Sequence, residues 1–151
     1  MQKNWLVGTL VAIVIIWIAS FLPWVSVTTA GYSFFTSGFE TTTVELNAWN
    51  SHFKIEGIKL PNWILVILAT LIGALIFLGA GGYYTSGRWI TIPFATYGLL
   101  HTVFAMTVIL ANASSATMGI GLPLTLIGYI VLLITVIKKP STASLPEPET
   151  P

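Results

Sequence analysis

The chain has 151 residues, of which 55% are hydrophobic and 7% are charged, with a formal net charge of +1 and a mean hydropathy of +0.87. Soluble domains contain roughly one-quarter charged residues, so this composition indicates a membrane protein. The small net charge argues against a basic surface for nucleic acid. The absence of cysteine excludes disulfides, thiolate metal sites and a thiol nucleophile.

Four apolar runs that contain no Lys, Arg, Asp or Glu predict four membrane-spanning helices. A helix needs about 20 residues to cross the hydrocarbon of a bilayer, at about 1.5 Å per residue. Because lipid offers no hydrogen-bond partner, the backbone of each run must bond within itself. The predicted fold is an all-α membrane protein, a four-transmembrane-helix bundle in one domain over residues 1–139, with spans at 5–22, 61–80, 89–111 and 117–137.

Both ends of the chain are expected in the cytoplasm. The first run continues to Leu22, beyond the about 7–15 apolar residues of a signal peptide, so we expect a retained span. The positive-inside rule favours this orientation in a plasma (inner) membrane, with residues 23–60 extracytoplasmic. Residues 140–151 are rich in Pro, Ser, Thr and Glu and predict a disordered cytoplasmic tail. The basic residues are Lys3, Arg88, Lys138 and Lys139 inside, and Lys54 and Lys59 outside.

The outer segment 23–60 has a β-like pattern. Residues 24–29 and 41–46 are rich in Val and Thr, and residues 53–60 include alternating apolar and charged side chains, so three strands are predicted. The segment has more aromatic surface than a solvated connection needs. It therefore either packs on the helices and the membrane surface or contacts a partner. The predicted contact residues are Phe34, Phe35, Phe39, Trp49 and Phe53.

Small residues spaced four apart predict where the helices pack. In lipid, helices associate through close packing at small side chains. We expect these faces to pack the four helices on each other, and packing against another subunit is the alternative. The pairs are Gly8 and Ala12, Ala69 and Gly73, Gly98 and Thr102, and Gly121 and Thr125.

His101 is the ionisable side chain within a predicted span. It follows Trp89 by 12 residues, which is about 18 Å along a helix and near the bilayer midplane. We expect a structural role, in which a neutral imidazole bonds a neighbouring span, with Thr9, Thr70 and Thr125 as available partners. The alternatives are axial ligation of a tetrapyrrole cofactor, haem or chlorophyll, and proton transfer.

Reactive side chains do not assemble into an enzyme site in this sequence. Ser33, Ser37 and Ser86 lie in predicted loops away from His101, so a Ser/His hydrolase is not expected. We predict a non-catalytic integral membrane protein, a small accessory or structural subunit whose partners are the lipid bilayer and other membrane subunits. One alternative is a haem- or chlorophyll-binding subunit that uses His101. The other is a self-associating tetraspan contact protein that acts through the outer loop.

Four spans with a β-like first outer loop resemble claudin-type tetraspan proteins in topology. The outer loop of those proteins carries a Trp…Gly-Leu-Trp…Cys…Cys signature, and this chain has neither Cys nor Gly-Leu-Trp. The resemblance therefore implies a topology and no function or site residue.

Overall fold

The computed structural model describes residues 4–33, 38–55, 58–80, 88–111 and 116–138. They form four helices: α1 (Asn4–Phe21), α2 (Trp63–Ala80), α3 (Arg88–Ala111) and α4 (Gly121–Lys138). They also form five short strands: β1 (Val25–Ser33), β2 (Gly38–Leu46), β3 (His52–Ile55), β4 (Ile58–Pro61) and β5 (Ala116–Met118). The protein is thus mostly helical with small antiparallel sheets, as the sequence predicts. The predicted tail, residues 140–151, lies outside the described residues.

The helices differ in the length of their apolar stretches. Among the described residues, two stretches are long and apolar enough to cross a membrane: Ile90–Ala111 in α3 and Gly121–Lys138 in α4. The apolar stretches of α1 and α2, Trp5–Phe21 and Trp63–Leu78, are shorter. These lengths are compatible with membrane insertion, and the count of four spans stays a prediction.

α1 and α4 run antiparallel and lie in contact along their lengths. Near the start of α1, a Cβ atom on Gly8 would lie 2.5 Å from Cγ2 of Thr135 in the last turns of α4. Midway, a Cβ atom on Gly128 would lie 2.5 Å from Cγ1 of Ile16. Gly121, the first residue of α4, lies against carbonyl oxygens at the C-terminal end of α1. The small residues therefore let the two backbones approach closely.

The remaining helix contacts connect α2 to α1, α3 to both α2 and α4, and α2 to α4. The indole N–H of Trp17 in α1 donates to the hydroxyl of Thr70 in α2 at 3.0 Å, and Gly73 of α2 lies against α1. Gly98 of α3 lies against the ring of Tyr129 in α4. The first and last helices of the chain thus contact each other, although short connections alone would pair only neighbours in sequence.

The strands form two separate sheets. β1 pairs antiparallel with β2, from Val25 opposite Leu46 to Ser33 opposite Gly38. β5 pairs with the other edge of β1 over residues 25–27, which gives the strand order β2-β1-β5. β3 and β4 form a hairpin of their own. The strand before α4 is therefore bonded to the strand that follows α1.

Two boundaries predicted from the sequence are wrong. The single strand predicted over residues 53–60 is a hairpin of two strands, β3 and β4. The fourth span, predicted from Thr117, begins as a helix only at Gly121, and Thr117 lies in β5. The cause is hydrogen bonding to a distant part of the chain, since β5 pairs with β1 and the N–H of Gly119 donates to the carbonyl oxygen of Trp24, directly before β1, at 2.9 Å. This backbone is satisfied by β1 and not by a helical turn.

Candidate functional site

A tight turn follows β2 and lies between the ends of α1 and α2; residues 47–51 are termed the outer turn. The Asn47 side-chain oxygen accepts hydrogen bonds from the N–H groups of Trp49 (2.9 Å) and Asn50 (3.2 Å). In return, the N–H of Asn47 donates to the side-chain oxygen of Asn50 at 2.7 Å. Asparagine is favoured in turns for this kind of side-chain bond to nearby backbone. The turn is therefore closed by its own side chains.

The outer turn is attached to the C-terminal end of α1. The N–H of Ala48 donates to the carbonyl oxygen of Ser20 at 3.2 Å, and Nε1 of Trp49 donates to Oγ of Ser20 at 3.0 Å. The ring centroid of Trp49 lies 5.8 Å from those of Trp17 and Phe21. Aromatic pairs at such distances contribute about 0.5–1.5 kcal/mol beyond their buried area. Trp17, Phe21 and Trp49 are termed the aromatic cluster.

A polar network joins the outer turn to α2 and α3. Asn62 directly precedes α2 and is 2% exposed. Its N–H donates to the carbonyl oxygen of Ser51 at 3.2 Å, and its side-chain nitrogen donates to Oγ of Ser51 at 2.8 Å. Its side-chain oxygen lies 3.2 Å from Nε2 of His101 in α3. Asn47, Ser51, Asn62, Tyr97 and His101 are termed the His101 network.

The directions of these hydrogen bonds follow from the partners. The Ser51 hydroxyl donates to the carbonyl oxygen of Asn47, so its oxygen accepts from the Asn62 amide. The Asn62 side-chain oxygen can only accept, which assigns the imidazole hydrogen to Nε2 of His101. Nδ1 is then the acceptor, and the Tyr97 hydroxyl, 3.4 Å away, donates to it. Both ring nitrogens of the neutral imidazole are therefore hydrogen-bonded.

This geometry favours a structural role for His101 over ligation of a tetrapyrrole. An axial ligand offers a nitrogen lone pair to the metal, and here the lone pair on Nδ1 faces the Tyr97 hydroxyl while Nε2 carries the hydrogen toward Asn62. His101 is 8% exposed. Removing a partner from a buried polar group costs about 1–3 kcal/mol. Ligation would therefore require at least one bond of the His101 network to break.

The hydrogen bonds of His101 described above go to Asn62 and Tyr97, and not to the threonines expected from the sequence. The ring is level with Asn62, at the start of α2, and so lies nearer the end of that helix than its middle. Thr9, Thr70 and Thr125 each donate to the carbonyl oxygen four residues earlier in their own helix, at 2.9, 2.8 and 2.9 Å. A threonine hydroxyl reaches this carbonyl without help from another helix.

Asn62, which joins Ser51 to His101 in this network, was missed by the sequence analysis. It was included in the apolar run 61–80 because one amide hardly changes the hydropathy of a long window. A usable signal was present, since asparagine directly before an apolar run is typical of a helix N-terminus. Its carbonyl oxygen accepts the N–H of Leu65 at 3.1 Å, in the first turn of α2. Its side chain meanwhile bonds the outer turn and α3.

The residues predicted for helix packing lie at contacts within the chain. A Cβ atom on Gly98 would lie 1.9 Å from a ring carbon of Tyr129, and one on Gly73 would lie 2.1 Å from Cδ1 of Ile13. Gly128, which the sequence analysis did not single out, makes a contact of the same kind with α1. The other predicted members are fully buried: Ala12, Ala69, Thr102 and Thr125.

Among the five aromatic residues predicted as outer-loop contacts, the side chain of Trp49 is described and belongs to the aromatic cluster. It is 38% exposed. Phe34 and Phe35 lie outside the described residues. Phe39 and Phe53 have their backbones in β2 and β3, and their side chains lie outside the described part of the chain.

An open cavity of about 370 Å³ lies beside the outer turn. Because Ser51 lines it, the cavity adjoins the His101 network. Within the described ranges, no three His, Asp or Glu side chains lie close enough together to hold a metal ion. The cavity is lined by Trp49, Asn50 and Ser51 of the outer turn, by His52 and Lys59 of the β3–β4 hairpin, and by Trp63 of α2.

Comparisons of the chain with protein-family models, with curated proteins and with solved structures gave no match. The geometry of the helices, the outer turn and the His101 network is therefore the basis for a functional assignment.

Proposed function

We propose that the protein is a non-catalytic integral membrane protein whose four helices all span the bilayer as a bundle. In this proposal it is a small accessory or structural subunit of a larger membrane complex. Both termini are cytoplasmic and residues 23–60 are extracytoplasmic, in a plasma (inner) membrane. The lipid bilayer and other membrane subunits are its partners.

The observation that carries the proposal is the apolar outer surface of all four helices. Monomeric soluble proteins rarely expose contiguous apolar patches larger than a few hundred Å². Here each helix exposes large aliphatic side chains at more than one turn along its length, which suits contact with lipid or with apolar partner helices. Eight of these side chains are 49–63% exposed: Leu10, Ile18, Leu71, Leu78, Leu100, Leu110, Ile127 and Ile137.

The packing of α1 on α4 supports four spans. α1 has 18 residues, or about 27 Å of helix, and its contacts with α4 extend from Gly8 against Thr135 to Gly121 against the end of α1. A helix beside the full length of a spanning helix crosses the same depth. β1, which follows α1, pairs with β5, which precedes α4, and this pairing is consistent with a topology in which these helix ends share one side of the membrane. α2 has the same length as α1 and packs beside it.

Hydrogen bonding of the polar side chains on the helices supports a structural role. An unbonded polar group in hydrocarbon costs several kcal/mol. The Tyr129 hydroxyl donates to the carbonyl oxygen of Leu65, and the Thr102 hydroxyl donates to that of Gly98 at 2.7 Å. With His101 bonded at both ring nitrogens, these side chains hold elements together and are not set up for chemistry.

Cysteine labelling of intact cells tests the topology. The chain has no Cys, so Thr42→Cys in β2 and Ser144→Cys in the tail can each be probed alone with a membrane-impermeant thiol reagent. We expect Thr42→Cys to react in intact cells, and Ser144→Cys to react only after permeabilisation. Reaction of Ser144→Cys but not Thr42→Cys would reverse the orientation. Protection of both would mean that α1 and α2 do not cross.

Native electrophoresis of gently solubilised membranes tests the accessory role. A subunit of a larger complex should migrate well above its own 16.3 kDa and contain other chains in fixed ratio. Migration as a monomer under conditions that preserve known membrane complexes would contradict the proposal.

The second candidate is a self-associating contact protein that acts through the outer loop. The β1–β2 hairpin extends beyond β5, which covers β1 only over residues 25–27. Side chains from Thr28 to Ala30 and from Thr41 to Glu45 are exposed. An exposed strand edge can pair with another strand. An oligomer of identical chains in the native gel, cross-linked between copies at Thr42→Cys, would favour this candidate over the first.

A further inference from the structure

The cavity beside the outer turn lies where α1 ends and α2 begins. Trp49 packs on Trp17 and Phe21 of α1, and Trp63 is the first residue of α2. Trp49 and Trp63 are each 38% exposed. Tryptophan rings prefer the headgroup level of a bilayer, where one edge is apolar and the other is hydrated. In the proposed topology, on which this inference rests, the cavity opens among the headgroups of the extracytoplasmic leaflet.

Among the described residues, the ionisable side chains that line the cavity are those of His52 and Lys59. Lys59 lies in β4, and the period of a strand puts it on the same face as Pro61. His52 is directly opposite Pro61 in the hairpin, and opposed residues share a face. Lys59 and His52 therefore lie on one face of the hairpin, and both are exposed. No Asp or Glu is among the described residues that line the cavity.

The cavity also has a suitable size and composition for a headgroup. Its volume of about 370 Å³ is within the range of about 300–1,000 Å³ that is typical of small-molecule sites. A lysine ammonium binds phosphate as a point charge with three donors. The two indole rings add apolar surface next to that charge. This combination matches a ligand with an anionic group joined to an apolar part.

We propose that this cavity binds the phosphate of an anionic phospholipid from the extracytoplasmic leaflet. Lys59 and His52 contact the phosphate, and Trp49 and Trp63 pack on the glycerol and the first carbons of the acyl chains. A free phosphate ion would pair with Lys59 and His52 but would make no contact with the apolar faces of the two indole rings. The bound lipid would lie against the outer turn and so against the His101 network.

Native mass spectrometry of the full chain in mild detergent tests this site, with dioleoyl phosphatidylglycerol and dioleoyl phosphatidylcholine as probes. We expect phosphatidylglycerol to be retained in preference to phosphatidylcholine. Lys59→Ala should weaken phosphatidylglycerol binding about five-fold, the effect of one basic residue near anionic lipid. Lys59→Arg keeps the charge and should bind as the wild type does. Lys138→Ala removes the same charge at the end of α4 and serves as the matched control.

Several outcomes would overturn the proposal. The proposal is wrong if Lys59→Ala binds phosphatidylglycerol as tightly as the wild type does. It is also wrong if Lys59→Ala weakens this binding no more than Lys138→Ala does, because the charge in the cavity then does not hold the lipid. Circular dichroism identifies any Lys59→Ala protein that fails to fold, in which case Lys59→Gln, with its longer aliphatic stem, replaces it. Displacement of phosphatidylglycerol by inorganic phosphate but not by chloride would assign a phosphate-ion site instead.

Lipid binding by Lys59→Ala and labelling of Thr42→Cys together distinguish an error in the proposed lipid site from an error in the proposed topology. Weak binding in Lys59→Ala together with a reactive Thr42→Cys in intact cells supports both proposals. If Lys59→Ala binds weakly while Thr42→Cys is protected, the cavity binds lipid but faces the cytoplasmic leaflet, which contradicts the leaflet assigned here. If Lys59→Ala has no effect while Thr42→Cys reacts, the topology stands and the lipid site is wrong.

Discussion

The glycine contacts of α4 and the His101 network both join segments that lie far apart in the chain, and they use opposite chemistry. At Gly98, Gly121 and Gly128, a neighbouring helix lies where a side chain would be, and the stabilisation is spread over many weak dispersion contacts. In the His101 network, a few directional bonds connect buried groups, and each partner is needed. The glycine contacts should therefore be sensitive to added volume, and the network to the loss of a hydrogen-bond partner.

Gly98→Ala should have the largest effect, because it adds volume at the closest of these contacts. The new Cβ atom would lie 1.9 Å from a ring carbon of Tyr129, and this buried ring is held by its bond to the carbonyl oxygen of Leu65. Overpacking costs about 1–3 kcal/mol, and we expect the upper end of that range. Thermal unfolding in detergent measures it. Ala74→Val, at an exposed position of α2, is the control and should change stability by less than about 0.5 kcal/mol.

Equal losses of stability in Gly98→Ala and Ala74→Val would contradict the expectation that the glycine contacts are sensitive to added volume. A repacked Tyr129 would also be informative, since loss of its bond to Leu65 should then appear as faster hydrogen exchange in the first turns of α2.

Asn62→Leu should have the next largest effect, because it keeps the branched shape of the side chain and removes the side-chain hydrogen bonds. Ser51 and His101 would each lose a buried partner, at a combined cost of about 2 kcal/mol. Hydrogen exchange of residues 48–51 should become faster, because the backbone bond from residue 62 to the carbonyl oxygen of Ser51 then holds the outer turn without the side-chain bond. Thr107→Val is the matched control, since the exposed Thr107 hydroxyl bonds a carbonyl of its own helix. Unchanged exchange at residues 48–51 would show that Asn62 does not hold the turn.

Variants of His101 distinguish a structural hydrogen bond to Asn62 from ligation of a tetrapyrrole. His101→Gln can still bond Asn62 and should leave stability nearly intact, whereas His101→Leu should cost about 1 kcal/mol in the free energy of unfolding. We expect no visible absorption band from a tetrapyrrole in the purified wild type. A Soret or chlorophyll band that is lost in a folded His101→Leu protein would establish the cofactor role instead.

Thr28→Val should have the smallest effect, because it removes a polar contact that is exposed. The hydroxyls of Thr28 and Thr43 lie 3.2 Å apart across the β1–β2 pair, where water can replace either partner. The change in unfolding free energy should stay below about 0.5 kcal/mol. Within β1, amide exchange should be slowest over residues 25–27, where the strand lies between β2 and β5. If Thr28→Val loses as much unfolding free energy as Asn62→Leu, burial does not explain why the His101 network should be more sensitive than the exposed pair of Thr28 and Thr43.

Particular residues show how far the sequence could be interpreted. The runs 61–80 and 89–111 predict helices that the structure gives as Trp63–Ala80 and Arg88–Ala111, because an apolar run this long satisfies its backbone best by bonding within itself. Thr117 was assigned to the fourth helix by the same criterion and lies in β5. Hydropathy cannot separate a strand from a helix over three residues, since so short a segment shows no period.

By itself, the sequence determined the helical character of the four apolar runs and the strand character of the outer segment, because both depend on residues that are close along the chain. The tertiary structure alone decided which distant groups meet. Asn62 and His101 are 39 positions apart, and Thr117 and Ser26 are 91 apart. Local periodicity contains no information about such partners. They are selected when the helices pack and each buried donor or acceptor is left with one group that its side chain or backbone can reach.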